Sequence, residues 1–138
     1  MSALTGIQRP TLVSDFLHAG ATCHPDREAV VCGSRRLTYA MLEAQTGCLR
    51  ETFLDLGVKR GDRVAIEAGS TETTVIAVLA TLTAGAIFVV VDPRKQSEAR
   101  RAIRDESGPS ILVTCRPDAG GSAGDLVQGR RGCRVARR

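Results

Sequence analysis

Between Ser70 and Val91 the apolar positions change period once, at a glycine. Up to Ala84, the residues Val75, Val78, Leu79 and Leu82 recur at helical spacing with Ala77, Ala80 and Ala84 among them; from Ala86 to Val91 every residue is apolar, until Asp92-Pro93. The first pattern predicts a helix with one face of large side chains and small residues that let another element approach closely. Ser70 is its expected N-cap, and Glu72 in the first turn suits the positive end of the helix dipole. Gly85 is placed for a left-handed stop. The unbroken run predicts a strand buried on both faces, as in a parallel sheet flanked by helices.

The rest of the chain alternates in the same way. Thr11 to Ala21 predicts a short helix carrying Leu12, Val13, Phe16 and Leu17, followed by a loop through Cys23-His24-Pro25-Asp26. Ala29–Cys32 and Arg35–Thr38 flank Gly33-Ser34, a Gly-first two-residue turn that predicts a β-hairpin. Thr38 then caps a helix in which Leu42, Leu49, Phe53 and Leu56 recur, with Gly57 as its stop. Arg63–Ile66 predicts a strand, so strand, helix 70–84 and strand 86–91 form a βαβ unit with a right-handed crossover. A third helix, Gln96 to Ser107, ends at Gly108-Pro109 and leads to a strand at Ile111–Val113. The fold class is therefore α/β: the N-terminal portion of a layered, mostly parallel sheet with a small β-hairpin. From Cys115 the periodicity stops. Two segments result, 1–115 and a Gly/Arg-rich tail at 116–138 that is expected to be disordered.

Charge follows the same division. Residues 1–115 hold 13 Lys/Arg and 13 Asp/Glu, whereas 116–138 hold six Arg against Asp118 and Asp125, so the net charge of +4 belongs to the tail. A basic tail suits phosphate contacts with nucleic acid, but this one has no aromatic residue for stacking, and a solvated tail is the preferred reading. No run reaches the roughly 18 apolar residues of a membrane span, and no secretory pattern opens the chain, so a cytoplasmic protein without membrane partners is expected. Five cysteines, Cys23, Cys32, Cys48, Cys115 and Cys133, include no C-x-x-C pair, and reduced thiols are the expectation.

Candidate chemistry is sparse. His18, Cys23, His24 and Cys32 lie close in sequence, but their spacing matches no zinc module, and no metal site is assigned. The Gly69-Ser70 turn lacks the companions of a nucleotide motif, and Gly120–Gly124 reads as a flexible linker. His18 and His24 have no nucleophile setting. Glu67 and Asp92 end adjacent strands and are able to approach one another, but strand-end carboxylates commonly form turns, and no acid/base role is assigned to either. The catalytic, cofactor-binding and metal-binding sets are each read as none.

Four stretches in order carry a family resemblance: His24-Pro25-Asp26-Arg27-Glu28-Ala29-Val30, then Arg36-Leu37-Thr38-Tyr39-Ala40-Met41-Leu42, then Leu56 to Ile66, then Leu82 to Pro93. Over about residues 11–114 the chain resembles the N-terminal part of the adenylate-forming, AMP-binding ligases, which include acyl-CoA synthetases, luciferases and nonribosomal peptide synthetase adenylation domains. Asp92-Pro93 leans toward the amino-acid-activating branch. The resemblance implies an enzyme that joins a carboxylic or amino acid to AMP and passes the acyl group to a thiol. Its implied cofactors are ATP, Mg2+ and CoA or carrier-protein phosphopantetheine. The family's Ser/Thr/Gly-rich phosphate loop ending in Pro-Lys, its substrate-pocket segments, its ribose-binding Asp and its catalytic Lys have no counterpart here, so no functional residue is carried over. Met41, Thr83 and Val90 depart from the family's usual residues. Arg100 and Arg104 stand where the third helix usually carries apolar residues, a loss of roughly 1.5 to 3 kcal/mol each if those sites are buried, unless the stems snorkel.

The resulting expectation is a truncated adenylation-domain fragment, inactive alone. The alternatives are the N-terminal half of a split enzyme completed by a partner chain that holds the missing remainder, and a basic-tailed nucleic-acid-binding protein. The change of composition at Cys115 also fits a shifted reading frame.

Overall fold

The computed structural model describes residues 12–69, 71–115 and 133–137. In chain order they form α1 (Val13–Cys23), β1 (Glu28–Cys32), β2 (Arg35–Thr38), α2 (Tyr39–Asp55), β3 (Arg63–Glu67), α3 (Glu72–Thr83), β4 (Ile87–Val91), α4 (Ser97–Ser107), β5 (Ile111–Cys115) and β6 (Cys133–Arg137). The hairpin β1-β2 is a sheet of its own, and the second sheet has the order β4-β3-β5-β6. In it β3 runs parallel to both β4 and β5, and β6 runs antiparallel to β5. The expected mixed α/β class with a mostly parallel sheet and a small hairpin is what forms. Of the tail at 116–138, only Cys133–Arg137 is described, and it is a strand that composition does not predict; residues 116–132 and 138 lie outside the described residues.

Local chemistry sets the element ends. Gly33, at φ +59°, turns the hairpin, as its Gly-first sequence requires. The loop between α1 and β1 satisfies the free donors at the start of α2: Tyr39 N–H bonds to Arg27 O, Ala40 N–H to Pro25 O, and Met41 N–H to Thr38 Oγ1 at 3.2 Å. Thr38 is thus the N-cap the sequence predicts, and Met41 supplies no acidic side chain for a reciprocal bond. At Gly20 a Cβ would come within 2.5 Å of the Tyr39 ring, so α1 lies directly against the start of α2.

The connections β3-α3-β4 and β4-α4-β5 cross the sheet in opposite directions, so right-handed crossovers put α3 and α4 on opposite faces. Burial along β3 agrees. Val64 and Ile66 join Ile76, Ala77 and Ala80 of α3, Leu42, Leu49 and Phe53 of α2, and Ile111 and Val113 of β5 in one core. Ala65 and Glu67 alternate to the α4 side. Because α3 touches α2 as well as β3 and β4, its deepest positions are Ile76, Ala77, Ala80 and Thr81.

Four expectations are revised here. The large-residue face expected on α3 is not its most buried one: Val75 is exposed, and Val78 and Leu79 are half-buried. Small residues occupy the tightest contacts because α3 is squeezed between two layers. Its N-cap is Thr71, and Ser70 lies outside the described residues. The strand expected to be buried on both faces is at the sheet edge, with Ile87, Phe88 and Val90 exposed by 51%, 40% and 47%. An apolar run does not reveal how many neighbours a strand has. On α1, finally, Leu17 alone is buried, and Leu12, Val13 and Phe16 face outward.

Gly85, at φ +74°, ends α3 as predicted, and a Cβ there would lie 3.3 Å from Arg60 Cγ. Gly85→Ala is therefore expected to lower stability by about 1–2 kcal/mol. Urea unfolding would register this as a lower midpoint at unchanged slope; an unmoved midpoint would contradict it.

Candidate functional site

In an open parallel sheet, ligands gather outside the carboxyl ends of the strands, where successive connections leave toward opposite faces. Here that point lies between β3, which leads to α3, and β4, which leads to α4. Glu67 closes β3, in register with Val91 of β4 and Thr114 of β5, and Asp92 follows β4 directly.

Among the described residues Glu67 is the carboxylate most deeply set at these ends: its side chain is 11% exposed, and both carboxylate oxygens are taken. Arg100 Nη1 donates to Oε1, and Arg104 Nη1 donates to Oε2 at 3.2 Å. The two arginines are 28% and 26% exposed and lie one helical turn apart on α4. They therefore occupy the inward positions where the family usually has apolar residues, and the expected loss of burial is offset by a carboxylate. The change replaces an apolar contact with a charge-paired one.

Asp92 is held by its neighbour. Arg94 donates from its backbone N–H to Oδ1 at 2.9 Å, from Nε to Oδ1 at 3.1 Å, and from Nη2 to Oδ2 at 2.9 Å. The Arg94 side-chain bonds, then its backbone bond, hold the Asp92 carboxyl below its ordinary value of 3.8. The same contact raises Arg94. A third pair joins the hairpin to α3: Arg35 Nε donates to Oε1 of the buried Glu72 at 2.6 Å, in the first turn of that helix.

The residues weighed from sequence are thus brought near the strand ends but committed to internal partners. Glu67 and Asp92 each pair with arginine and form no acid/base pair with each other. At Gly69 the carbonyl accepts from Thr71 N–H and Thr74 Oγ1, tying the turn to its own helix. His18 Nδ1 lies 2.7 Å from Glu43 Oε1 on the surface between α1 and α2, and the backbone N–H of His24 caps α1 on Gly20 O. Cys23 and Cys32 are half-buried and Cys48 is exposed, and none of the three is in a disulfide. Among the described residues no three His, Cys, Asp or Glu gather as a metal ion would require, and no helix is long and apolar enough to cross a membrane. Gly120–Gly124 and most of the tail arginines lie outside the described residues. Sequence reasoning missed the joint role of Arg100 and Arg104; the available signal was their i, i+4 spacing on the inward side of a helix.

The architecture defines a class: a mostly parallel α/β sheet with helices layered on both faces and a separate β-hairpin. A family model described as AMP-binding enzyme matches residues 17–135, and the chain belongs to that family. It is 35% identical over 111 residues to phosphinothricin tripeptide synthetase PhsC of Streptomyces viridochromogenes, covering 80% of this chain and 10% of the synthetase. It is 36% identical over 101 residues to a medium/long-chain-fatty-acid–CoA/3-oxocholest-4-en-26-oate–CoA ligase of Mycobacterium tuberculosis, covering 73% of this chain and 18% of the ligase. Among solved structures, the N-terminal subdomain of Klebsiella oxytoca NpsA in complex with 3-hydroxyanthranilyl-AMSN matches with a TM-score of 0.73 at 25% identity. That match covers 85% of this chain and 31% of the other. The chain therefore spans a tenth to a fifth of the length of these two curated relatives.

Membership of this family implies ATP and Mg2+ in an intact enzyme. The described residues do not fit either. The carboxylates at the strand ends, the natural oxygen ligands for a magnesium ion, are occupied by guanidinium groups, and the described part of the Gly69 turn offers a carbonyl already engaged by α3.

Two outcomes follow. Glu67→Gln removes the charge between two half-buried guanidiniums and should cost about 1–3 kcal/mol of stability. Arg104→Met should cost less, because Arg100 still holds Glu67. Denaturation curves for the two variants decide this, and equal losses would sink the idea. For Asp92, a carboxyl titration by NMR should give a midpoint below 3.8 that moves up in Arg94→Ala. A depressed carboxyl contributes its stability above the ordinary carboxylate range and loses it as pH falls through the depressed midpoint. Wild type should therefore lose stability over the acid range relative to Arg94→Ala, most of all below pH 3.8.

Proposed function

We propose that this chain supplies the N-terminal sheet layer of an adenylate-forming domain and does not itself activate a carboxylic acid. One observation carries the reading: the strand ends where such a sheet would receive its ligand are closed by internal ion pairs, Glu67 with Arg100 and Arg104, and Asp92 with Arg94. The sequence adds no phosphate loop and no Pro-Lys element. Within the domain, the role of these residues is to seat α3 and α4 on the sheet and to present β4 to whatever lies beside it.

The second reading, a split enzyme, is favoured by a separate observation. Ile87, Phe88 and Val90 on β4, and Leu12, Val13 and Phe16 on α1, are large apolar side chains left open to solvent. Such surface marks a contact with more protein. The remainder of the adenylation domain, on the same polypeptide or on a partner chain that carries the phosphate loop and catalytic lysine, would cover it. The ancestral reaction is then formation of an acyl-AMP from ATP and a carboxylic or amino acid, followed by transfer to a thiol.

The test is calorimetry with ATP and Mg2+ on the purified chain, with ATP–pyrophosphate exchange measured in parallel. No saturable heat and no exchange are expected for the chain alone; saturable ATP binding would overturn the proposal. Co-expression with a chain holding the missing elements should restore solubility and exchange under the split-enzyme reading. Failure of the two chains to co-purify would remove that reading while leaving the first intact.

A further inference from the structure

The open edge of β4 is complementary to itself. Among the described residues β4 has one neighbouring strand, β3, with Val64 beside Phe88 and Ile66 beside Val90. Ile87 N–H donates to Asp62 O at 2.8 Å, on the β3 side. In a parallel ladder the N–H and C=O of one residue point to the same side, and those of the next residue to the other. Ile87, Val89 and Val91 therefore address β3, and the backbone groups of Phe88 and Val90 point out of the sheet edge. The side chains of these same two residues share one face and are open to solvent. Outward backbone groups and exposed apolar side chains thus coincide on one pair, placed symmetrically about Val89.

We propose that two copies of this chain associate through β4, antiparallel and about a two-fold axis at Val89, to form one continuous sheet. In that register Phe88 of each copy lies opposite Val90 of the other, and the two exchange both N–H···O bonds; Val89 meets Val89 as the non-hydrogen-bonded rung between them. Each Phe–Val rung sets an aromatic against a β-branched side chain, a favourable cross-strand combination. Other registers are poorer. A shift of one residue sets outward backbone groups against residues already bound to β3. A shift of two sets Phe88 against Asp92, or Val90 against Ala86, whose N–H is already bonded to Thr81 O. The edge thus supplies its own complement, and a second copy is the occupant that fits it. With five residues and three half-exposed apolar side chains per copy, the ladder covers less than the roughly 1,200 Å² of a standard stable interface. Association is therefore concentration-dependent, with a dissociation constant in about the micromolar range or above. Basic residues flank the strand, Lys59 and Arg60 beside its start and Arg94 and Lys95 after its end, so salt that screens them tightens the dimer. Self-pairing goes beyond the reading of the chain as one layer of a larger domain: it is what covers β4 when the chain is alone.

The experiment is sedimentation velocity of the full chain with reductant present, over a concentration series and at two salt concentrations. A monomer–dimer equilibrium that stops at two copies and tightens with salt is expected. One variant carries Phe88→Lys with Val90→Lys, and a second carries Phe88→Glu with Val90→Glu. Each should be monomeric alone, because like charges then oppose one another at both rungs, and an equimolar mixture should restore a dimer. Amide exchange of the wild-type chain by NMR tests the register without any substitution. The Phe88 and Val90 amides should exchange about tenfold or more slowly in the dimer than in the dilute monomer, while those of Ile87, Val89 and Val91 hold their rates. A chain that stays monomeric throughout would overturn the proposal. So would a dimer that both charged variants still form, assembly that continues past two copies, or equal exchange of the Phe88 and Val90 amides in monomer and dimer. None of these outcomes involves ATP, so their failure leaves the reading tested by calorimetry untouched.

Discussion

The double-sided burial of β3 is the constraint on which the other elements depend. It is the strand with parallel partners on both sides, and Val64, Ala65 and Ile66 are each fully buried. A strand so placed needs a layer on each face. On one face α3 supplies it, and because α3 is itself covered by α2, its contact positions must be small: Ala77 and Ala80 are fully buried and let the helix approach closely. The cost of drawing α3 into the interior falls on its first turn, where Glu72 is nearly enclosed. Arg35 of the hairpin meets that carboxylate, so the small two-stranded sheet has an electrostatic task as well as a packing one.

The other face of β3 is managed by different chemistry. Its last inward residue on that side is a carboxylate, and α4 has no fully buried residue with which to cover an apolar surface. Contact is made instead by two arginines converging on Glu67. Their stems provide apolar cover and their guanidiniums provide the countercharge. A hydrophobic pair at Arg100 and Arg104 would leave Glu67 enclosed without a partner, while arginines without Glu67 would enclose two charges. The three residues form one unit, and substituting any one of them changes the meaning of the other two.

What was legible in the sequence is what local rules govern. Thr38, Gly33, Gly57, Gly85 and Gly108 mark a cap, a turn and helix ends that depend on a few neighbouring residues, and the helix and strand spans up to β5 followed from periodicity, while β6 did not. Four ordered stretches carried the family. The missed features are those set by strand order and by distant residues. Neither the edge position of β4 nor the pairing of Glu67 with arginines 33 and 37 residues later leaves a mark in local pattern. The phase of α3 was misjudged for a related reason: side-chain size indicates the contact face of a helix with one neighbour, and α3 has two. For the site, the chain offered carboxylates at the right strand ends, but their commitment to internal arginines is visible only in three dimensions.

The two ends of the described sheet are unlike, and the difference bears on how the chain is used. At one end β6 reads Cys-Arg-Val-Ala-Arg, with charge at two of five positions, a composition that discourages further strand addition. At the other end β4 reads Ile-Phe-Val-Val-Val, with no charge, no proline and no break in its pairing with β3. Natural sheets rarely leave such a strand bare, because its unpaired backbone groups and exposed side chains recruit other strands. Three of its five side chains are open to solvent on a strand whose sequence calls for cover, so the edge position of β4 leaves an apolar surface bare. An uncharged, proline-free apolar edge carries the physics of strand addition, and under the proposed reading that edge is the surface through which the chain would join the rest of an adenylate-forming domain.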